Sequence, residues 1–315
     1  MACANFLLQP PLAHEALYHL HIMFSYRHSF HAGNHADVLK HLTQLVILRY
    51  LISAKDTPLL LADTHAGTGV YRLDSNDAQT SGEAIEGILP LWEQYGPGGK
   101  QAPEALQDYL ELLASFNPDG GLRKYPGSPF ITASVMRPQD QLRLFELHPT
   151  DGRLLSKHMD EFGKSTQIQV IRNNGFMGLK ALLPPASRRG LVLMDPSYEL
   201  KTDYGQVASC IDDALRRFAT GCYMIWYPVI PRPEAHELPR KLKTMTQRAG
   251  RSWLHATLSI GRDEEQQAHP GLRASGVFVI NPPFVLKGQL DAALPVVHQC
   301  LKRGSGAGWL VESSG

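Results

Sequence analysis

Gly190-Leu191-Val192-Leu193-Met194-Asp195-Pro196-Ser197-Tyr198 is the stretch from which the rest of the chain can be read. Its four consecutive large apolar residues predict a strand whose two faces are both covered, because a half-exposed strand would alternate with polar residues. Pro196, which has no N–H for a sheet ladder, ends it. Similar short apolar runs precede it at 59–62, 142–146 and 168–172, and another follows at 222–227. Between these runs lie segments of helical spacing at 151–162, after Gly175, and at 204–218. Strand and helix in alternation predict an α/β fold with a mostly parallel sheet covered on both faces. Two later runs, 253–260 and 277–280, are separated by a turn-rich segment and fit an antiparallel hairpin at one edge. Helices are expected near 237–248 and 290–301. Toward the N-terminus, Asn34 with Asp37 three residues on marks a helix start, and Val38, Leu42, Leu45 and Val46 recur at helical spacing until Pro58. Residues 72–138 break the alternation. They hold helical stretches at 85–94 and 102–116, interrupted by glycine-rich segments, with no clear strand, and are expected to form an inserted helical subdomain.

Composition narrows the classes of function. The chain has 315 residues, 43% of them hydrophobic and 19% charged, with a formal net charge of +1. That is the profile of a globular protein with one large core or two ordinary ones, not of a disordered or strongly polyanion-binding chain. The four cysteines, Cys3, Cys210, Cys222 and Cys300, include no C-x-x-C pair, which argues against a zinc ribbon or a thioredoxin-like motif and suits a reducing, cytoplasmic setting. No apolar run approaches the length of a membrane span. Residues 1–22 carry an apolar patch without a preceding Lys or Arg, a poor signal peptide, and are expected to be an extension before a 23–315 catalytic domain.

The ends of the strands carry the chemistry. Residues 63–69 (Asp-Thr-His-Ala-Gly-Thr-Gly) follow the first strand, and Gly67 and Gly69 let backbone approach a ligand closely. Many βα turns need glycine for backbone reasons alone, so the loop is ambiguous by itself. Glu146 ends the second strand, where a carboxylate can accept hydrogen bonds from ribose hydroxyls or simply face water. Asn173-Asn174-Gly175 ends the third and could clamp the edge of an adenine ring. Asp195-Pro196-Ser197-Tyr198 ends the fourth. An exocyclic adenine amine is a poor nucleophile because its lone pair is delocalised into the ring. Acceptors on its two hydrogens, the Asp195 carboxylate and the Pro196 carbonyl, favour the pyramidal form that attacks a methyl group. Tyr198 is expected to stack on an unpaired or flipped base.

Other groups compete for these roles. Asn281-Pro282-Pro283-Phe284 also follows a strand and also matches an amine-methylating tetrapeptide, but that strand comes late in the sheet and is expected to lie away from the crevice. His28, His31, His35 and His41, with Asp37, could hold zinc. Clustered histidines in a chain with 14 of them more often pack or face solvent, and no metal is expected. Arg27, Lys40, Arg188, Arg189 and the basic stretch 232–251 could contact phosphates.

The stretches 25–41 (SYRHSFHAGNHADVLKH), 63–69, 125–129 (YPGSP), 146–149 (ELHP), 187–199 (SRRGLVLMDPSYE), 201–204 (KTDY), 217–221 (RFATG), 226–229 (WYPV) and 280–283 (INPP) together resemble the RlmJ family. These are bacterial 23S ribosomal RNA adenine-N6 methyltransferases, and the resemblance runs from about Met23 to the C-terminus. It implies a Rossmann-like class I fold dependent on S-adenosylmethionine, a helical subdomain inserted after the first strand, and no metal. It implies cofactor contacts at His41, His65, Ser128, Glu146, Asn174 and Gly175, a proton-accepting catalytic role for Asp195, and RNA engagement at Tyr26, His28 and Lys40. It implies no obligate protein partner. The chain departs from the family in having Asn174 where Asp is usual and Ser197 where a second Pro is usual. Two other functions stay open: a DNA adenine-N6 methyltransferase, which can carry the same tetrapeptide, and, from a label that relatives bear, a role in using external DNA as a nutrient without methylation, although nothing in the chain resembles a nuclease metal site.

Overall fold

The computed structural model describes residues 30–164, 166–262 and 271–314. Its centre is an eight-stranded sheet built on β1 (Leu60–Asp63), a strand buried at every position. On one side β1 pairs in parallel with β4 (Gln141–Phe145), and β4 with β5 (Ile168–Ile171). On the other it pairs in parallel with β6 (Gly190–Met194), and β6 with β7 (Cys222–Pro228). The strand order therefore reverses at β1, and ligands in such sheets lie beyond the carboxyl ends of the strands at that point. Register makes the place specific. Asp63 is level with Leu144 of β4 and with Leu193 of β6. Two residues further along all three chains lie His65, Glu146 and Asp195, so one row of the sheet delivers all three side chains to one edge.

Beyond β7 the sheet becomes antiparallel, in the order β9 (Ala274–Ile280), β8 (Trp253–Arg262), β10 (Ser305–Ser313). The expected hairpin is present as β8 and β9, but β10 covers it and is the true edge. The run at 305–313 is rich in Gly and Ser with apolar residues only at its middle, so it gives little strand signal. Orientation also separates the two competing tetrapeptides more firmly than strand order alone. Because β9 runs antiparallel to β7, with Ile280 opposite Tyr223, Asn281 emerges at the end of the sheet away from Asp195. There its amide donates to the carbonyls of Ala219 (2.9 Å) and Gly221 (2.7 Å) and holds a turn.

The helix of 20 residues, α1 (His35–Ala54), begins at the expected cap: the Asn34 side chain accepts from the Asp37 amide. It is buried along its first fourteen residues, polar ones included, and packs against β9 and several helices. A helix buried all round has no solvated face for its polar residues, so they must find partners inside. Gln44 donates to the Ser128 carbonyl and the Thr132 hydroxyl, and Lys40 reaches Asp195.

Between β1 and β4 the chain makes an excursion. It contains α2 (Asn76–Ser81), a 3-10 turn (Glu83–Glu86), α3 (Ile88–Tyr95) and α4 (Glu104–Ser115). It also contains two strands that the sequence reading lacked, β2 (Val70–Arg72) and β3 (Lys124–Pro126), which pair antiparallel and close its base. At three residues each they are too short to show a periodicity. The last helix within 72–138, α5 (Ser128–Val135), packs against β1 and β4 as an ordinary crossover helix does. The remaining helices, α6 (Pro149–Phe162), α7 (Gly175–Leu182), α8 (Lys201–Arg217), α9 (Pro233–Arg248) and α10 (Leu286–Leu301), lie where helical spacing places them. No helix among the described residues is long and apolar enough to cross a membrane.

Candidate active site

The first cavity lies at the carboxyl ends of β1, β4, β5 and β6 and encloses about 220 Å³. Of the residues expected to hold a cofactor, His41, His65, Gly67, Ser128, Glu146 and Asn174 line it, as do Asp195 and Pro196. Gly67 adopts φ +60°, which a side chain would strain, and a Cβ there would strike the Tyr71 hydroxyl. Its amide donates to Glu146 Oε2 at 2.8 Å, while the His148 amide donates to Oε1 at 2.7 Å. Burial raises the Glu146 carboxyl to about 7, although both amides pull the other way. Gly69 and Gly175 act behind the wall. The Gly69 carbonyl accepts from the Gly127 amide and so ties the loop to Ser128. Gly175 is buried where a Cβ would collide with the Thr64 carbonyl, so the first loop and α7 meet only because this residue is glycine.

Each remaining cofactor candidate has a supporting partner. His65 bonds Thr64 Oγ1 through Nδ1 at 2.8 Å, and burial depresses its imidazole to about 3, so it is neutral at ordinary pH. His41 meets the Tyr125 hydroxyl at 2.8 Å. Ser128 donates to Asp63 Oδ2 at 2.6 Å, and burial raises the Asp63 carboxyl to about 6. Asp63 was not singled out from sequence. Asn174 caps α7, its Oδ1 accepting from the Met177 amide at 3.2 Å, so its NH₂ is the end left to meet a ring edge. Such a cavity, with backbone-bonded Glu146 beside a glycine-walled loop, matches an adenosyl group: a carboxylate for ribose hydroxyls and an apolar wall at Leu147 and Phe176.

A second cavity lies behind the first, lined by His31, Asn34, Asp37, Trp226, Ile230 and Leu272 among others. Lys40, Asp195, Ser197 and Glu199 line both. Asp195 thus stands at the wall between the two. Lys40 donates to Asp195 Oδ2 at 2.5 Å and forms an ion pair with Asp37 at 2.9 Å. Burial disfavours the ammonium, but the two carboxylates outweigh that and hold its pKa well above the ordinary value.

Three sequence expectations change here. Lys40, expected at the RNA, is 4% exposed and shared between the Asp37 and Asp195 carboxylates, so its ammonium faces the site and not the protein surface. Tyr198, expected to stack on a base, is 2% exposed. Its ring lies 4.6 Å from that of Tyr204 and 6.0 Å from that of Trp226, and its hydroxyl donates to the Trp226 carbonyl at 2.7 Å. It is a wall of the second cavity, not an open platform. Arg189, a candidate phosphate contact, lies at the opposite end of the sheet and donates to the carbonyls of Leu51, Lys55 and Thr57 near the end of α1. Tyr26, His28, Arg27 and the 1–22 extension lie outside the described residues. The other clustered histidines diverge: His31 bonds Glu83, His35 is buried, and His41 faces Tyr125. Among the described residues no three His, Cys, Asp or Glu are grouped to hold a metal ion.

Comparison with known proteins bears on the same residues. Residues 56–312 match the family model described as "Ribosomal RNA large subunit methyltransferase D, RlmJ". The chain is 46% identical over 279 residues to "Ribosomal RNA large subunit methyltransferase J" of Escherichia coli (strain K12), covering 89% of this chain and 94% of that protein. It is 42% identical over 291 residues to the protein of the same name from Haemophilus influenzae, covering 92% and 98%. Among solved structures, one from Legionella pneumophila is 33% identical with a TM-score of 0.78, covering 90% of this chain and 98% of that one.

Proposed function

The chain belongs to the RlmJ family of ribosomal RNA large subunit methyltransferases, and we propose that it methylates the N6 amine of a specific adenine in 23S ribosomal RNA at Asp195. It is a methyltransferase with the Rossmann-like class I fold and uses S-adenosylmethionine, which supplies the activated methyl group. The observation that carries the proposal is the position of Asp195 on the wall between two cavities, with Pro196 beside it in the first. One has the groups for an adenosyl moiety, and the other is walled by Trp226, Ile230 and Leu272, a surface suited to a purine.

The residues act as follows. Glu146 accepts from ribose hydroxyls, Gly67 lets the backbone approach, and His41, His65, Ser128 and Asn174 shape the rest of the cofactor cavity. Lys40 engages Asp195 Oδ2, which assigns Oδ1 to one amine hydrogen; the Pro196 carbonyl takes the other. Two acceptors draw the amine out of conjugation and oppose the positive charge that grows on nitrogen as the new C–N bond forms. Lys40 offsets one of the two carboxylates, so the cluster of Asp37, Lys40 and Asp195 keeps a net negative charge facing the nitrogen on which positive charge develops. Asp195 then receives the proton that the methylated amine must lose. Tyr26 and His28 are assigned to RNA engagement by their match to the family. No observation favours DNA methylation or a role confined to using external DNA. The test is transfer of labelled methyl groups to naked 23S RNA and to DNA. Label in N6-methyladenine of the RNA supports the proposal, and label in DNA alone overturns it.

A further inference from the structure

Arg232 begins α9 and stands at its N-cap, at the start of the basic stretch read from sequence as a phosphate-contacting or solvated face. It is half-buried and turns inward. Its Nη1 donates to the Tyr198 carbonyl at 3.0 Å. Tyr198 needs such support. It has φ +54°, the left-handed region that a residue with a bulky side chain seldom enters unless its surroundings enforce it. Two attachments do so. The carbonyl is held by Arg232, and the hydroxyl is held by the Trp226 carbonyl. Both come from the segment spanning β7 and the start of α9, which fixes the far end of a four-residue loop whose near end carries Asp195.

Resting on the reading of Asp195 and Pro196 above, we propose that Arg232 is a positioning residue for methyl transfer: by holding the left-handed Tyr198 it aims the Pro196 carbonyl and the Asp195 carboxylate at the amine. Ser197 sharpens the need. It lines both cavities and, unlike a proline, leaves its own φ free, so the loop depends on what grips its end. Arg232 lines neither cavity. Misplacement of an acceptor by about 1 Å is enough to slow a reaction by up to about a hundredfold while binding persists.

The experiment measures turnover, S-adenosylmethionine affinity and the salt dependence of RNA binding in the full chain for wild type, Arg232→Ala and Asp195→Ala. Arg232→Ala is expected to lose about tenfold or more in kcat, with cofactor affinity and the salt slope unchanged. Wild-type kcat overturns the proposal. So does weakened RNA binding with a salt slope smaller by about one, the mark of a lost phosphate contact. Arg232→Lys keeps the stem and the charge but not the planar fork, and guards against a failure to fold. Its ammonium can still donate to the Tyr198 carbonyl, so it is expected to bind cofactor normally and to recover part of the turnover that Arg232→Ala loses; a folded Arg232→Lys no faster than Arg232→Ala overturns the proposal. Methylation by Asp195→Ala removes the underlying reading itself, whereas loss there with full activity in Arg232→Ala removes only this inference.

Discussion

Glu146 is held by two backbone amides in a site that disfavours its charge, and its carboxyl lies near 7. Ribose hydroxyls donate, so the ionised form is the one that binds. At pH above about 7 the carboxylate is already ionised; below it a proton must be released on binding. Affinity for S-adenosylmethionine is therefore expected to weaken as pH falls through 7, by up to about tenfold per unit. Calorimetry from pH 8 to pH 5.5 checks this, and Glu146→Gln is expected to bind weakly with a flat profile. Lys40 makes a different prediction. Lys40→Met leaves Asp37 and Asp195 buried without their cation, a loss of about 3–5 kcal/mol by the usual cost of breaking a buried pair, to be read by denaturant unfolding. The motif at Asp195 was legible because its chemistry is local. The burial of Lys40 was not, because nothing in the 25–41 stretch says that a helix carrying Lys and Asp will be covered on every side.

At the level of elements, most strands and helices were legible from apolar runs and spacing, and the Asn34 cap was found through a single residue pair. What escaped were elements without a pattern of their own. Strands β2 and β3 are three residues long, and β10 is assembled by pairing with β8, not by its composition. The junction of the first loop with α7 shows how much one atom decides. Gly175→Ala would drive a Cβ into the Thr64 carbonyl, which is backbone and cannot rotate away. The expected outcome is a loss of roughly 2 kcal/mol or more together with cofactor binding, checked by thermal unfolding and by titration with S-adenosylmethionine.

For the whole molecule, strand direction is what sequence order could not supply. Asp195 and Asn281 each follow a strand and each precede a proline, yet the antiparallel course of β9 sends them to opposite ends of one sheet. Asn281 also has φ +52° and bridges two carbonyls. Asn281→Ala is therefore expected to cost about 1–3 kcal/mol of stability by leaving those carbonyls without a donor, and to leave kcat unchanged. Urea unfolding and a methyl-transfer assay on the same preparation separate the two effects. The excursion between β1 and β4 was read as helical, and most of it is. Its closing ribbon and the return of α5 to the sheet depend on contacts far apart in sequence, which periodicity does not report.

Asp195 is where these scales meet, set by sheet register level with Glu146 and His65 and placed on the wall between two cavities. The most direct test is mass spectrometry of 23S RNA nucleosides from a strain lacking this gene, complemented with wild type or with Asp195→Ala. Wild type is expected to restore one N6-methyladenine, and Asp195→Ala to restore none while still binding S-adenosylmethionine. Restoration of the methyl group by Asp195→Ala would contradict the account.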